Sequence, residues 1–305
     1  MNHGPLIFLA AFLGMAGSWI GFVFAPQVQL GSLQATNKVG SLTYPLDRPG
    51  LAKVGLEVYR ANGCAYCHSQ QIDQTGTEFE IVLGNVGTNE ANVLSVLQKL
   101  KPDALDGGTA KLLSTLPATV LRTGDRRQGD NAVKALTAAG AKAALGVTPL
   151  GPDIARGWGR RHSVAEDFLF DRTVMLGSQR IGPDLANTGL RLPDPNWHLR
   201  HLYQPRLEAE KSTMPPYPFL FEKRKIGATP SPDALVFPSP AAPPAGNEIV
   251  PTPAARALVA YLLSLRADAS LFSAPLAVAA ISTGSDTNAA AATATNTSPA
   301  GPPAK

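Results

Sequence analysis

Cysteine is almost absent from this sequence, because 305 residues contain only Cys64 and Cys67. Two cysteines cannot build a disulfide framework. They are also too few for a four-thiolate zinc site, although histidines could supply other ligands. Charge is sparse as well: charged residues make up 16% of the chain and the formal net charge is only +4. No run of Lys and Arg follows a helix face and no nucleic-acid motif is present, so we expect no nucleic-acid partner.

A long uncharged stretch lies near the N-terminus. Residues 6–25 read "LIFLAAFLGMAGSWIGFVFA". Roughly 20 apolar residues at about 1.5 Å each span about 30 Å, the thickness of a bilayer core. The sequence therefore predicts a membrane anchor at residues 5–25, in contact with lipid, followed by a polar stalk at 26–48. A cleaved signal peptide is the alternative, but no Lys or Arg precedes the run and the run is longer than a usual signal core.

Two amphipathic helices are predicted from apolar stripes at helical spacing. The first, "PGLAKVGLEVYRANG", ends at Gly63, directly before the cysteines. The second, "TPAARALVAYLLSLR", starts with Thr252 as its N-cap and Pro253 as its first helical residue. We expect the two helices to cross, with Gly55 letting their backbones approach where Tyr261 packs. A tolerated glycine inside an ordinary helix is the alternative.

The composition changes between residues 77 and 149. The order of predicted elements there is β-α-α-β-α-β, which indicates a small two-layer α+β domain inserted into the chain. Phrases such as "LPATVLRTG" and "ALTAAGAKAAL" resemble the C-terminal domain of the ribosomal large-subunit stalk protein. Any small α+β domain would give a comparable pattern. Residues 274–305 are low in complexity and are predicted to be disordered.

Both cysteines lie in one short stretch, "GCAYCHSQQ". Two thiols at this spacing can add to the vinyl groups of one haem, and His68 can then bind the iron. A redox dithiol uses the same spacing but needs a thioredoxin-like βαβ setting, and a zinc site would need further ligands nearby. The sequence therefore predicts one covalently bound haem c, held by Cys64 and Cys67, with His68 as an iron ligand.

The sixth iron ligand is predicted to be a methionine, because a thioether raises the reduction potential and suits electron transfer. Met1 and Met15 belong to the predicted anchor region. Met175 lies in the apolar phrase "RTVMLGSQR", which suits core packing. Met214 lies in "KSTMPPYPFL", where the prolines restrict the loop. Met214 is therefore the favoured candidate to bind the iron, with core packing as the alternative.

Two further segments supply candidate cofactor contacts. In "SQRIGPDLAN", the carbonyl of Pro183 can accept the Nδ1–H of His68 and so orient the ring. Arg180 is a candidate partner for a haem propionate, with an ordinary surface arginine as the alternative. In "NWHLRHL", Trp197, His198 and His201 either line the haem edge or pack and cap the helix.

Four phrases occur in a fixed order behind the predicted anchor: "VYRANGCAYCHSQQI", "GSQRIGPDLAN", "WHLRHLYQPR" and "STMPPYPFL". Together they resemble the mono-haem subunit II of the cbb(3)-type cytochrome c oxidases. The resemblance covers residues 44–75, 153–225 and the last helix. It implies a haem c ligated by His68 and Met214. It also implies a haem-copper catalytic subunit as partner, and a further c-type cytochrome subunit or a soluble cytochrome c as electron donor.

The predicted fold class is therefore mainly α. A cytochrome c domain at residues 49–76 and 150–268 would stand behind one transmembrane helix in the bacterial inner membrane, with the haem domain in the periplasm. The insert at 77–149 departs from the family pattern. Three alternatives remain: the small subunit of a nitric oxide reductase, a free membrane-tethered electron shuttle, and a haem-based sensor or structural protein.

Overall fold

The computed structural model describes residues 3–31, 37–39, 42–48, 50–100, 114–238, 242–271 and 274–278. The helices are α1 (Gly4–Trp19), α2 (Ala25–Leu30), α3 (Gly50–Ala61), α4 (Glu90–Leu100), α5 (Arg126–Ala138), α6 (Pro152–Ala155), α7 (Thr188–Arg191), α8 (Pro195–Tyr203), α9 (Pro205–Glu208) and α10 (Pro253–Ser264). The strands are β1 (Asn37–Val39), β2 (Leu42–Tyr44), β3 (Gly76–Asn85), β4 (Ala118–Thr123), β5 (Lys142–Leu150), β6 (Phe221–Lys225) and β7 (Asn247–Pro251).

One N-terminal helix is long and apolar enough to cross a membrane. It extends over Gly4–Gln29, has a mean hydropathy of 2.1 and buries none of its residues within the protein. A π-helical turn at Ile20–Phe24 joins α1 to α2. Pro26 follows this turn, and its ring and missing N–H prevent a regular hydrogen-bond ladder there. The helix therefore continues past residue 25, into the first part of the predicted stalk.

Helices α3 and α10 cross in close contact and form the centre of the larger core. A Cβ atom added at Gly55 would lie 1.9 Å from the carbonyl oxygen of Ala257 and 2.7 Å from the Cβ of Tyr261. The expected close approach at Gly55 is thus confirmed, because only glycine lets the two backbones meet at this distance. Thr252 is the N-cap of α10, as predicted, because its hydroxyl accepts a hydrogen bond from the N–H of Ala255.

Strands β3, β4 and β5 form an antiparallel sheet in the order β4-β3-β5. Its buried face and helices α4 and α5 enclose a second core, which is separate from the first and includes Ile81, Leu83, Leu97, Val120 and Leu136. The predicted second helix, "TAKLLSTL", is residues 109–116, and its first five residues lie outside the described residues. Likeness to the ribosomal domain stays a prediction.

The chain after α10 runs back across the protein. The buried guanidinium of Arg161 donates from Nε to the carbonyl of Ala269 at 2.6 Å and forms a two-armed ion pair with Asp167. Val278 then exchanges two backbone hydrogen bonds of 2.9 Å with Val147 on β5. The predicted disordered tail lies outside the described residues from 279 onward, whereas Ala274 is fully buried.

Candidate functional site

The two cysteines and the following histidine lie on the wall of one cavity of about 800 Å³. Gly63 ends α3 with a left-handed backbone (φ 68°), which turns the chain into a 3₁₀ turn at Cys64–Tyr66. The N–H of His68 donates to the carbonyl of Cys64 at 3.0 Å and closes this turn. Local backbone geometry therefore presents all three side chains to the same space.

The cavity gathers most of the side chains that the sequence singled out. Its lining includes Cys64, Cys67, His68, Pro183, Trp197, His198 and Met214. The remaining wall is mostly apolar and includes Leu185, Leu192, Leu202, Leu258 and Leu262. A large apolar cavity with few polar groups at defined positions is typical of a cofactor site.

His68 is held as an oriented, neutral imidazole. Its Nδ1 lies 2.8 Å from the carbonyl oxygen of Pro183. Because a carbonyl can only accept, Nδ1 donates this hydrogen bond, and in the neutral ring Nε2 then keeps its lone pair. Burial lowers the pKa of His68, although the Pro183 hydrogen bond and the charge of Asp184 oppose this shift. The ring packs so closely on Gly182 that a Cβ atom there would lie 2.3–2.9 Å from three ring atoms.

The cysteines are free thiols and form no disulfide with each other. Burial raises the pKa of the Cys64 thiol to about 11, which disfavours the thiolate that a zinc ion would require. Within the described ranges, no cluster of three or more His, Cys, Asp or Glu side chains is arranged to hold a metal ion. Two thiols and one imidazole in an apolar cavity suit an iron-containing cofactor such as haem, in which the iron is already bound by the cofactor itself.

Met214 and Met175 have different surroundings. Met214 is half-buried, packs against the larger core and lines the cavity. Its loop folds back onto α8, because the N–H of Tyr217 donates to the carbonyl of Leu202 at 2.8 Å. Met175 is buried within the core and lies outside the cavity lining. Of these two methionines, Met214 is the one whose side chain lines the cavity.

Helix α8 turns one aromatic face towards the cavity. Its N-cap, Asp194, accepts hydrogen bonds from the N–H groups of Asn196 and Trp197. The rings of Trp197 and His201 stack at 4.7 Å, and the two rings are within 9° of parallel. His198 Nε2 lies 2.8 Å from the carbonyl oxygen of Leu192, so His198 ties α8 to the preceding loop as well as lining the cavity.

Arg180 lies outside the cavity lining, contrary to the expectation of a propionate partner. Its guanidinium instead forms ion pairs with Asp153 at 2.8 Å and Asp184 at 3.6 Å. Arg191 lines the cavity and also donates to the carbonyl of Asp184 at 2.9 Å. Sequence reasoning missed Arg191, because a single arginine between two leucines carries no distinguishing signal.

The family comparison matches residues 146–234 to the model described as "Cytochrome C oxidase, mono-heme subunit/FixO". No curated protein matches this chain. The family match confirms the resemblance to the cbb(3)-type subunit II that the sequence motifs indicated. It spans the segment from the end of β5 to beyond Met214 and excludes Cys64, Cys67 and His68. The description of the matched family is that of a subunit of a cytochrome c oxidase.

Proposed function

We propose that this chain is the haem c electron-transfer subunit of a membrane-bound cytochrome c oxidase, passing electrons from a cytochrome c donor towards a haem-copper catalytic subunit. The observation that carries this proposal is the single cavity that brings Cys64, Cys67, His68 and Met214 together. The family match supports it from an independent part of the chain, since the cysteine motif lies outside the matched residues.

In this proposal the larger core is a cytochrome c fold. Cys64 and Cys67 would supply the two thioether links, and His68 and Met214 would bind the iron. Haem c supplies one-electron chemistry, and a thioether ligand favours its reduced form relative to a nitrogen ligand. If both side chains bind the iron, no position would be left for oxygen, so the chain would carry electrons and its partner would reduce oxygen.

The chain's own residues keep the site rigid and dry. The carbonyl of Pro183 fixes the His68 ring, which would limit its rearrangement when a bound iron changes charge. Leu202, Leu258 and Leu262 cover the site with apolar surface. Arg191 is the guanidinium that the cavity offers to a haem carboxylate, the role that the sequence had suggested for Arg180.

The N-terminal helix Gly4–Gln29 would anchor the chain, with the haem domain on the periplasmic side of a bacterial inner membrane. The reason for this orientation is that thioether attachment of haem takes place outside the cytoplasm. A reporter that is active only in the cytoplasm, fused after Lys305, should be silent. Reporter activity would show that the domain faces the cytoplasm and would remove this orientation from the proposal.

Purification in a mild detergent followed by pyridine haemochrome spectroscopy tests the function. We expect one haem c per chain and co-purification with a copper-containing oxidase subunit. Isolation of the chain alone, with haem c but no oxidase activity in its fraction, would favour the free electron shuttle. Absence of haem c would refute the proposal.

A further inference from the structure

Arg180 joins two buried carboxylates beside the cofactor cavity. Its Nη1 lies 2.8 Å from Oδ2 of Asp153, and its Nη2 lies 3.6 Å from Oδ2 of Asp184. Both aspartate side chains are fully buried, whereas the arginine side chain is 35% exposed. Nη2 also donates to the carbonyl of Gln71, next to the cysteine motif. Arg180 therefore touches three separate stretches of chain at one point.

Asp184 is bonded to both chain segments that position His68. Its Oδ2 accepts hydrogen bonds from the hydroxyl of Ser69 at 2.5 Å and from the N–H of Gln71 at 2.7 Å. Its Oδ1 accepts from the N–H of Ala186 at 2.8 Å. The residue directly before it, Pro183, accepts the hydrogen bond from His68. Moving the Asp184 carboxylate would therefore move the groups on either side of the iron ligand.

Asp153 connects the same arginine to the inserted sheet. It lies in α6, which begins two residues after β5 ends. Its Oδ2 accepts from the N–H of Asp73 at 2.8 Å, and its Oδ1 finds no hydrogen-bond donor within the described chain. The second cation near it is Arg156, 3.6 Å away and largely exposed. A buried carboxylate without an adequate partner is costly, so Arg180 is the main compensating charge for Asp153.

We propose that Arg180 is a positioning residue for His68, the proximal histidine. Arg180 holds Asp153 and Asp184 in place and offsets their negative charge. It thereby couples the end of the β3–β5 sheet to the haem iron. The inference rests on the proposed function, because it requires a haem ligated by His68. Arg180 acts through Asp184, Pro183 and the backbone around residue 70. It does so without touching the cofactor.

The charge arrangement predicts the direction of each substitution. Arg180→Gln leaves two buried carboxylates less compensated near His68, which favours the more positive, oxidised haem and lowers its midpoint potential. We expect at least a tenfold change in the ratio of oxidised to reduced protein at a fixed potential, which corresponds to about 59 mV for one electron. Asp153→Asn removes a negative charge and should shift the potential in the opposite direction.

The test uses redox titration and electron paramagnetic resonance of the purified full chain. Arg180→Gln should lower the potential and change the g values of the oxidised haem, since the axial histidine is less firmly held. Arg180→Lys keeps the charge but loses the planar fork, and should lie between the wild type and Arg180→Gln. Arg156→Gln is the matched control, because it removes an equal charge from the same aspartate at the surface.

Pyridine haemochrome spectra distinguish failure of the proposed function from failure of the inference about Arg180. No haem c in the wild-type chain would refute the proposed function itself. Haem c with a wild-type potential in Arg180→Gln would overturn the inference alone, as would equal shifts in Arg180→Gln and Arg156→Gln. If Arg180→Gln does not fold, Arg180→Lys and Asp153→Asn decide. Wild-type potentials in both would also overturn it.

Discussion

Replacing Met214 with His should leave the haem covalently bound and lower its midpoint potential by more than about 59 mV, a tenfold change in the one-electron equilibrium. The reason is that a nitrogen ligand stabilises oxidised iron better than a thioether does. Cys64 and Cys67 stay unchanged, so attachment is not affected. The weak far-red band of methionine-ligated oxidised haem should disappear. Redox titration and the oxidised absorption spectrum measure both effects.

Met175→Leu is the matched control for this substitution. Met175 is a buried core residue outside the cavity lining, and leucine has nearly the same volume. We therefore expect a wild-type spectrum and potential for Met175→Leu. A Met214→His protein that keeps the far-red band and its potential would show that Met214 is not the ligand. Loss of the band in Met175→Leu would transfer the role to that residue.

Features decided by local sequence were predicted correctly. The turn at Gly63, the cap at Thr252 and the close approach at Gly55 each follow from the backbone needs of one or two residues. The order of strands and helices in the inserted sheet also followed from periodicity over its described residues. The N-terminal helix extends further than predicted. The prediction ended where the apolar run ends, whereas the helix continues for one more turn that contains Gln27 and Gln29.

Features decided by distant contacts were not available from sequence. Arg180 and Arg191 have the same chemistry and lie close together in the chain. Only the fold shows that Arg180 faces two buried carboxylates while Arg191 faces the cavity. The separate environments of Met175 and Met214 likewise depend on how their loops pack on the core. The prolines that follow Met214 led the sequence to predict it as a ligand, which stays a prediction, whereas nothing in the sequence pointed to Arg191.

The sheet of β3, β4 and β5 brings the cysteine motif close to the family-matched segment despite their long separation in sequence. Gly76, which opens β3, pairs with Leu150, which closes β5. Just outside this pair, the N–H of Thr75 donates to the carbonyl of Leu150 at 2.9 Å. The chain thus leaves and re-enters the larger core at almost the same point. The residues between β3 and β5 therefore do not separate His68 from Pro183 in space, and the two stay in hydrogen-bond contact.

Removing both thiols should have the largest effect of any change in the cavity. We expect the double substitution Cys64→Ala and Cys67→Ala to lose covalent haem completely, so that denaturing electrophoresis shows no haem-stained band for the chain. Each single substitution leaves one thioether and should shift the pyridine haemochrome band to longer wavelength, because one vinyl group stays unsaturated. Burial raises the pKa of the Cys64 thiol to about 11, which disfavours the thiolate form that a metal ion would need.

Tyr66→Ala is the control for the cysteine substitutions, since Tyr66 lies between the two cysteines but its side chain points to solvent and is 72% exposed. It should keep a normal haem stain and spectrum. Retention of a covalent haem band in the double cysteine variant would refute thioether attachment at this motif. Loss of haem in Tyr66→Ala as well would mean that the loss in the double cysteine variant cannot be assigned to the thiols. We expect the two variants to differ, because only the cysteines and His68 present functional atoms of the motif to the cavity.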